Sequence, residues 1–263
     1  MNKEIRLSDK VKEICEVINQ RVIAKDIYSL QLKTDKIAKN AKSGQFVSLY
    51  CSDMSRILPR PISICEVDKS DGTLRLVYRV VGEGTEEFSH LRPHQEVVVI
   101  GPLGNGYPDR DQDKRAFVVG GGLGIPPMLY LAKSLKCDKN IVLGYNRELF
   151  LLDEFNGLGD LYISTDDGSC GTKGNVIDAI KENALKGDVI YACGPMPMLR
   201  AIKAYALEHN IDCYISLEER MACGIGACLG CVCKSSKKDE HTNVNNKRIC
   251  TQGPVFLAEE VQI

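Results

Sequence analysis

The most specific chemistry in the chain lies in five cysteines near its C-terminus. Cys223, Cys228 and Cys231 stand at C-x4-C-x2-C, and Cys250 follows 19 residues after Cys231. Four thiolates at this spacing hold a [2Fe–2S] cluster. Gly224, Gly226 and Gly230 lie among them, and glycine supplies the positive φ angles and close backbone approach that turn several thiolates toward one centre. Bare amides can then donate to the sulfurs and help set the potential. A structural zinc knuckle usually shows two CxxC or Cys/His pairs separated by a longer spacer; here one CxxC has a cysteine five residues before it and a single one after it. A disulfide needs an oxidising compartment. Cys233 competes with Cys231 for the third position, and the x2 spacing favours Cys231.

Composition bounds the scaffold around these thiols. At 263 residues the chain exceeds one small core and fits two domains with an appendage. With 34 basic and 35 acidic residues the net charge is −1, which points to neither nucleic acid nor an anionic membrane. Residues 1–10 are charged and show no apolar run before a cleavage site, so no export signal is expected. No apolar run of about 18 residues is there to span a membrane. Twelve cysteines in such a chain imply a reducing cytoplasm, where clustered thiols bind metal or do redox work. The scattered ones, such as Cys15, Cys51 and Cys137, read as inert core residues.

From Val11 to Ile100, short alternating apolar runs recur between polar turns: Ile14 to Ile18, Ile27 to Leu32, Phe46 to Tyr50, Ile62 to Val67, Leu74 to Val81 and Val97 to Ile100. About six such strands predict an antiparallel barrel or sandwich. Within it, Arg60-Pro61-Ile62-Ser63 opens a strand. A guanidinium there can clamp a diphosphate, and a hydroxyl three residues on can donate to a ring nitrogen. The strand carrying Tyr78 and Val80 runs into Gly82-Glu-Gly84-Thr85 and a short helix, whose first amides can face a phosphate. A plain turn with Thr85 as N-cap is the competing reading.

Beyond Lys114 the pattern changes to alternating strands and helices, which predicts a parallel α/β sheet. Strand Arg115–Val119 leads into Gly120-Gly-Gly122-Leu-Gly124 and then an apolar-periodic helix from Met128 to Leu135. Gly122-x-Gly124 occupies the dinucleotide pyrophosphate position, with Pro127 where a third glycine usually stands. Strands follow at Ile141 to Tyr145, Leu161 to Thr165, Val189 to Cys193 and Cys213 to Leu217. Cys193-Gly194-Pro195 ends the strand Val189 to Cys193, at the edge where ligands of open sheets bind. Glu148, Asp153 and the pair Asp166-Asp167 are the acids available to a ribose. One arginine at Arg147, without a basic cluster, favours NAD over NADP. There is no G-x-S-x-G, H-E-x-x-H or P-loop, and His90, His94, His209 and His241 show no metal spacing. The chain offers cofactor sites without acid–base machinery for a substrate.

In order and spacing, Arg60-Pro-Ile-Ser63, Gly82-Glu-Gly-Thr85, Gly120-Gly-Gly-Leu-Gly124 and Cys193-Gly-Pro195 resemble the ferredoxin-NADP reductase superfamily. The segment Ser216-Leu-Glu-Glu-Arg-Met-Ala-Cys223-Gly-Ile-Gly-Ala-Cys228 narrows the resemblance to electron-transfer subunits of NAD-linked dihydroorotate dehydrogenases. The likeness runs from about Val11 to Val255. It implies a multidomain α+β chain: an FAD-binding antiparallel β-barrel at 11–110, a Rossmann-like NAD-binding α/β unit at 111–215 and a small [2Fe–2S] unit at 216–263. It further implies that Arg60, Pro61, Ile62, Ser63, Tyr78, Val80, Gly82, Gly84 and Thr85 contact FAD. Gly120, Gly122, Gly124 and Gly194 would receive NAD, Cys193 would stand near the nicotinamide as the catalytic residue, and Cys223, Cys228, Cys231 and Cys250 would hold the cluster. Ile62 replaces the tyrosine that many superfamily members set against the flavin. The implied partner is an FMN-containing catalytic subunit that oxidises dihydroorotate to orotate in pyrimidine biosynthesis, two copies of each forming a cytoplasmic heterotetramer. Electrons would pass singly through the cluster to FAD and leave as hydride to NAD+. A subunit of an NADH-dependent ferredoxin oxidoreductase or sulfide dehydrogenase is the alternative that shares the first three motifs.

Overall fold

Alternation of apolar and polar residues builds the first half of the chain into strands β1 (Val11–Ala24), β2 (Ile27–Lys33), β3 (Phe46–Tyr50), β4 (Arg60–Asp68), β5 (Thr73–Arg79) and β6 (Glu96–Leu103). They close into an antiparallel barrel in the order β1-β2-β5-β4-β3-β6. This computed structural model describes residues 10–53, 55–108, 114–238 and 243–263. Residues 1–9, those around the expected boundary at 110/111, and His241 lie outside the described residues.

β1 is far longer than its clearest alternation. It pairs with β6 over Val11–Glu16 and with β2 over Glu16–Ala24, and two register shifts bend it to serve both. Leu30, Leu32, Val47, Leu49, Ile62, Ile64, Leu74 and Leu76 fill the barrel. The turn α1 (Ile37–Asn40) and the helix α2 (Glu83–Ser89) complete this unit, α2 sending Phe88 into the same core.

A second sheet has the order β10-β9-β8-β7-β11-β12-β15. Its strands are β7 (Ala116–Gly121), β8 (Lys139–Tyr145), β9 (Asp160–Thr165), β10 (Thr172–Lys173), β11 (Val189–Cys193), β12 (Asp212–Ser216) and β15 (Val255–Leu257). All pair in parallel except β15, which adds antiparallel to β12. The helices are α3 (Ile125–Ser134), α4 (Val176–Glu182) and α5 (Met196–His209). Along β7 successive side chains alternate: Ala116 and Val118 pack with α3, Phe117 and Val119 with α4 and α5.

The two units share cores rather than a linker. Ala24, Ile27, Cys65 and Val77 of the barrel bury against α3, while Phe46 and Leu103 bury on the other side with Cys231, Ile249, Cys250 and Phe256. Each large apolar side chain so buried contributes about 1.5–3 kcal/mol. Arg75 of β5 donates from Nη2 to Glu154 Oε1 at 2.8 Å and from Nε to Ser29 Oγ at 2.9 Å, and Lys133 of α3 pairs with Glu66 of β4.

The C-terminal segment forms the hairpin β13 (Val232–Lys234) and β14 (Asn246–Arg248), then α6 (Ile249–Gln252). Asn105, just past the barrel, clamps it: Nδ2 donates to the carbonyls of Gln252 and Val255, and Oδ1 accepts the Val255 amide at 3.0 Å.

Candidate functional site

Arg60 begins β4 with its guanidinium laid against Gly84, in the first turn of α2. A Cβ on Gly84 would stand 2.0 Å from Nε and 2.3 Å from Cζ. Glycine at 84 therefore makes room for the cation. Arg60 Nη1 also donates to the Leu58 carbonyl. Thr85 is not the N-cap but the third helical residue after Gly82. Its Oγ1 accepts the amides of Val81 at 2.9 Å and Gly82 at 3.2 Å and donates to the Gly82 carbonyl. This leaves the amides of Glu83, Gly84 and Thr85 without intrahelical acceptors. Guanidinium and first-turn amides lie together, a donor set suited to a diphosphate. Ile57, Leu58 and Val81, close to this site in sequence, are exposed.

Register decides which way the other flavin candidates face. Val47 lies opposite Ile62, and both point into the barrel core. Ser48 opposite Pro61 and Phe46 opposite Ser63 therefore occupy the outer face. Pro61 and Ser63 are half-buried there. Tyr78 points inward: its ring stacks on Tyr28 with centroids 5.8 Å apart, and its hydroxyl donates to Gln20 Oε1 at 3.0 Å. Val80 is half-buried just past β5, with its amide bound to the Asp26 carbonyl. The barrel thus separates Ile62 and Tyr78 from Pro61 and Ser63.

The glycine turn and the Cys193 motif are brought into direct contact. Gly120 and Cys193 are register partners on β7 and β11. A Cβ on Gly124 would stand 2.1 Å from the Cys193 carbonyl oxygen and 2.6 Å from the Gly194 amide nitrogen. Gly121 and Gly194 both pack on Met198, whereas Gly122, at φ +53, has nothing within 4 Å of a notional Cβ. The open position at Gly122 is a cradle for an approaching pyrophosphate. Cys193 is buried. Burial pushes its thiol well up, Glu218 adds to the shift and the Ser216 hydroxyl opposes it, so the group is a neutral thiol. Among the acids, Glu148 already accepts the Lys25 amide at 3.0 Å, so it ties barrel to sheet. Asp166 accepts from Asn146 Nδ2 at 2.9 Å, and Asp167 closes its own turn by accepting the Ser169 amide.

The cysteines gather as two pairs. Cys223 and Cys228 have sulfurs 3.3 Å apart, and the free thiols of Cys231 and Cys250 lie beside each other in the core. Among the described residues no group of three or more His, Cys, Asp or Glu is disposed around a single ion. Two pairs of thiols suit two irons better than one zinc. Burial works against the Cys223 thiolate, but the amides of Cys228, Ile225 and Ala227 outweigh it and bring the thiol down to about 6. Burial, with Cys231 beside it, pushes Cys250 up to about 12 although the Gly226 amide opposes. Backbone donors are thus aimed at the Cys223 and Cys228 sulfurs. Cys233 lies on β13 opposite Lys247, and burial raises its thiol.

The loop has an inner and an outer side. Cys231 and Cys250 are buried in the shared core, and Gly224 sits on the barrel's outer face against Ser48 and Leu103. Ile225 and Leu229 are 47% and 68% exposed. Sequence reasoning missed Ser48, Gly121, Met198 and Ser216. A serine among apolar strand residues reads as an ordinary solvent-facing position, and only the docking of a distant loop buries it.

A family model described as the iron-sulfur cluster binding domain of dihydroorotate dehydrogenase B matches residues 218–262. A relative from Fusobacterium nucleatum, named dihydroorotate dehydrogenase B (NAD(+)), electron transfer subunit, is 44% identical over 95% of this chain and 98% of its own. One of the same name from Caldanaerobacter subterraneus is 42% identical over 93% and 96%. Among solved structures, an NADH-dependent reduced ferredoxin-NADP oxidoreductase, studied for flavin-based electron bifurcation, matches with a TM-score of 0.85 at 29% identity, over 95% of this chain and 90% of that one. The ferredoxin reductase in carbazole 1,9a-dioxygenase, at 18% identity and a TM-score of 0.66 over 77% and 67%, shares the fold.

Proposed function

The chain belongs to the family of dihydroorotate dehydrogenase B electron transfer subunits, and from that premise we propose which of its residues carry the electrons between a catalytic partner and NAD+. It is the electron-transfer subunit of an oxidoreductase of pyrimidine biosynthesis, working with a [2Fe–2S] cluster, FAD and NAD. When bound, a flavin exchanges a hydride with nicotinamide and single electrons with a cluster, which neither of those can do for the other.

The observation that carries the reading is the seating of the cysteine loop: two thiol pairs, buried on one side against the barrel and sheet, exposed on the other. Residues 11–110 serve the flavin, 111–215 the NAD and 216–263 the cluster. Arg60 and the amides of Glu83 and Gly84 hold the FAD diphosphate, with Gly82 and Thr85 shaping that turn. Ser63, on the outer barrel face beside Pro61, donates to the flavin ring; Ile62, Tyr78 and Val80 support that wall from behind. Gly122 leaves the opening that admits the NAD pyrophosphate, Gly120 and Gly124 let the turn pack closely on α3 and on the Cys193 carbonyl behind it, and Gly194 adjoins the nicotinamide. Cys193, a neutral thiol, packs beside the nicotinamide and keeps water from it. Cys223 with Cys228 and Cys231 with Cys250 hold the iron.

A catalytic partner subunit completes the enzyme. We assign it an FMN site, a two-plus-two assembly and a docking face at Ile225 and Leu229. A cytoplasmic setting is supported by twelve free cysteines, and no described helix is long and apolar enough to cross a membrane.

Anaerobic visible and EPR spectra of the purified complex test this reading. Cys231→Ser is expected to abolish the [2Fe–2S] signal and Cys233→Ser to retain it; the reverse reassigns the third ligand. Colourless protein with stoichiometric zinc, or flavin that NADH fails to reduce, sinks the scheme. The similarity to the NADH-dependent oxidoreductase favours a second reading, as a subunit of that enzyme type. Co-purification with a large glutamate-synthase-like flavoprotein, in place of a dihydroorotate dehydrogenase, would select it.

A further inference from the structure

The hydroxyl of Ser48 is enclosed yet bonds to nothing. Among the described residues, only Ser48 and Ser164 bury a side-chain polar atom without a hydrogen-bond partner. Such orphans are uncommon, because the lost hydration is then uncompensated. The surroundings of Ser48, which is 2% exposed, say what kind of partner is missing. Pro61 and Ile100 flank it in register on β4 and β6, and neither carries a polar side chain. Facing it is Gly224, whose notional Cβ would stand 2.9 Å from Oγ, with Leu103 3.7 Å from the same point. Gly224 directly follows Cys223 and turns the chain at φ +65. The element that closes over this hydroxyl is therefore the loop bearing the first thiol pair.

We propose that Ser48 donates a hydrogen bond to a sulfur on the Cys223 side of the cluster and thereby raises the cluster's reduction potential. The proposal rests on the reading of Cys223, Cys228, Cys231 and Cys250 as ligands. Reduction adds one negative charge, shared by the sulfurs, and a donor stabilises the more negative state more strongly. The amides of Ile225, Ala227 and Cys228 make the loop's own contribution. Ser48 adds a donor from the barrel, on the same outer face as Ser63. The glycine at 224 keeps the approach clear, since any side chain there would stand between hydroxyl and loop.

The test uses the complete subunit with its cofactors, purified anaerobically in complex with its partner. EPR-monitored titration and deuterium ENDOR after exchange into D2O would compare wild type, Ser48→Ala and Ser48→Thr. Ser48→Ala is expected to lower the reduced-to-oxidised cluster ratio about tenfold at a fixed solution potential, about 59 mV for a one-electron couple. It should also remove one exchangeable deuteron coupling and leave the flavin couple unchanged; Ser48→Thr, which keeps the hydroxyl, should retain the wild-type potential and coupling. An unchanged cluster potential in Ser48→Ala overturns the proposal. So does a shift of the flavin couple in place of the cluster's, which would assign the hydroxyl to the flavin. A wild-type protein with no [2Fe–2S] signal overturns the ligand reading itself, an outcome distinct from both.

Discussion

Arg60 and Gly84 stood out in the sequence only as a pair: an arginine at a strand start or a glycine turn before a helix is by itself ordinary, and the two together suggested a phosphate ligand. What the sequence could not show is that the two touch, with the missing Cβ of Gly84 giving the guanidinium its place. Hydrogen bonds to a charged group are worth about 1.5–3 kcal/mol. Arg60→Ala is therefore expected to weaken FAD affinity about 10- to 100-fold, measured by flavin retention and fluorescence titration, with the cluster EPR signal intact. Unchanged affinity would remove Arg60 from the clamp. Ile62, Tyr78 and Ser48 were the illegible residues at this scale. Facing inward or outward is a one-residue matter on a strand, and a tyrosine near a cofactor motif looks the same in sequence whether it meets the ligand or stacks on Tyr28.

At the scale of elements, the cysteine loop is amphipathic without being helical or extended. One side enters the common core through Cys231 and Cys250, and the other presents Leu229 and Ile225 to solvent. The docking face proposed for the catalytic subunit lies on this outer side. Leu229→Asp is expected to lower affinity for the catalytic subunit at least tenfold, read by analytical ultracentrifugation, while NADH oxidation by an artificial acceptor at the flavin persists. Retained affinity would move the interface elsewhere. Strand positions were largely readable from alternation, but β1 ran well beyond its visible pattern because two register shifts let one strand serve two neighbours. β15 was unreadable, since three residues carry no period and gain strand geometry only from β12.

For the whole molecule, the barrel and the sheet are held in fixed relation by shared cores and by Arg75 reaching across to Glu154. The Arg75 guanidinium is the main reason the Glu154 carboxyl lies below its ordinary value of 4.5. A depressed carboxylate stabilises the fold fully above its unfolded value and loses that contribution as pH falls through its folded value. Wild type is thus expected to exceed Glu154→Gln by about 1–2 kcal/mol between pH 5 and 7. The gap should close as pH drops below about 4.5, followed by thermal melts across that range. A gap independent of pH would show that the pair does not titrate as described. No local motif announces this bridge, because its partners lie 79 residues apart.

The antiparallel addition of β15 to β12 bears on how the subunit protects itself. An uncovered outer ladder on β12 would be a template for foreign strands, the liability that sheet edges carry into aggregation. Val255–Leu257 occupies that ladder, and the same tail reaches it only after passing through Cys250 and the Asn105 clamp. The edge of the sheet thereby passes from β12 to a strand of three residues, too short to template a foreign chain, and the segment that supplies it is the one that carries the last cysteine.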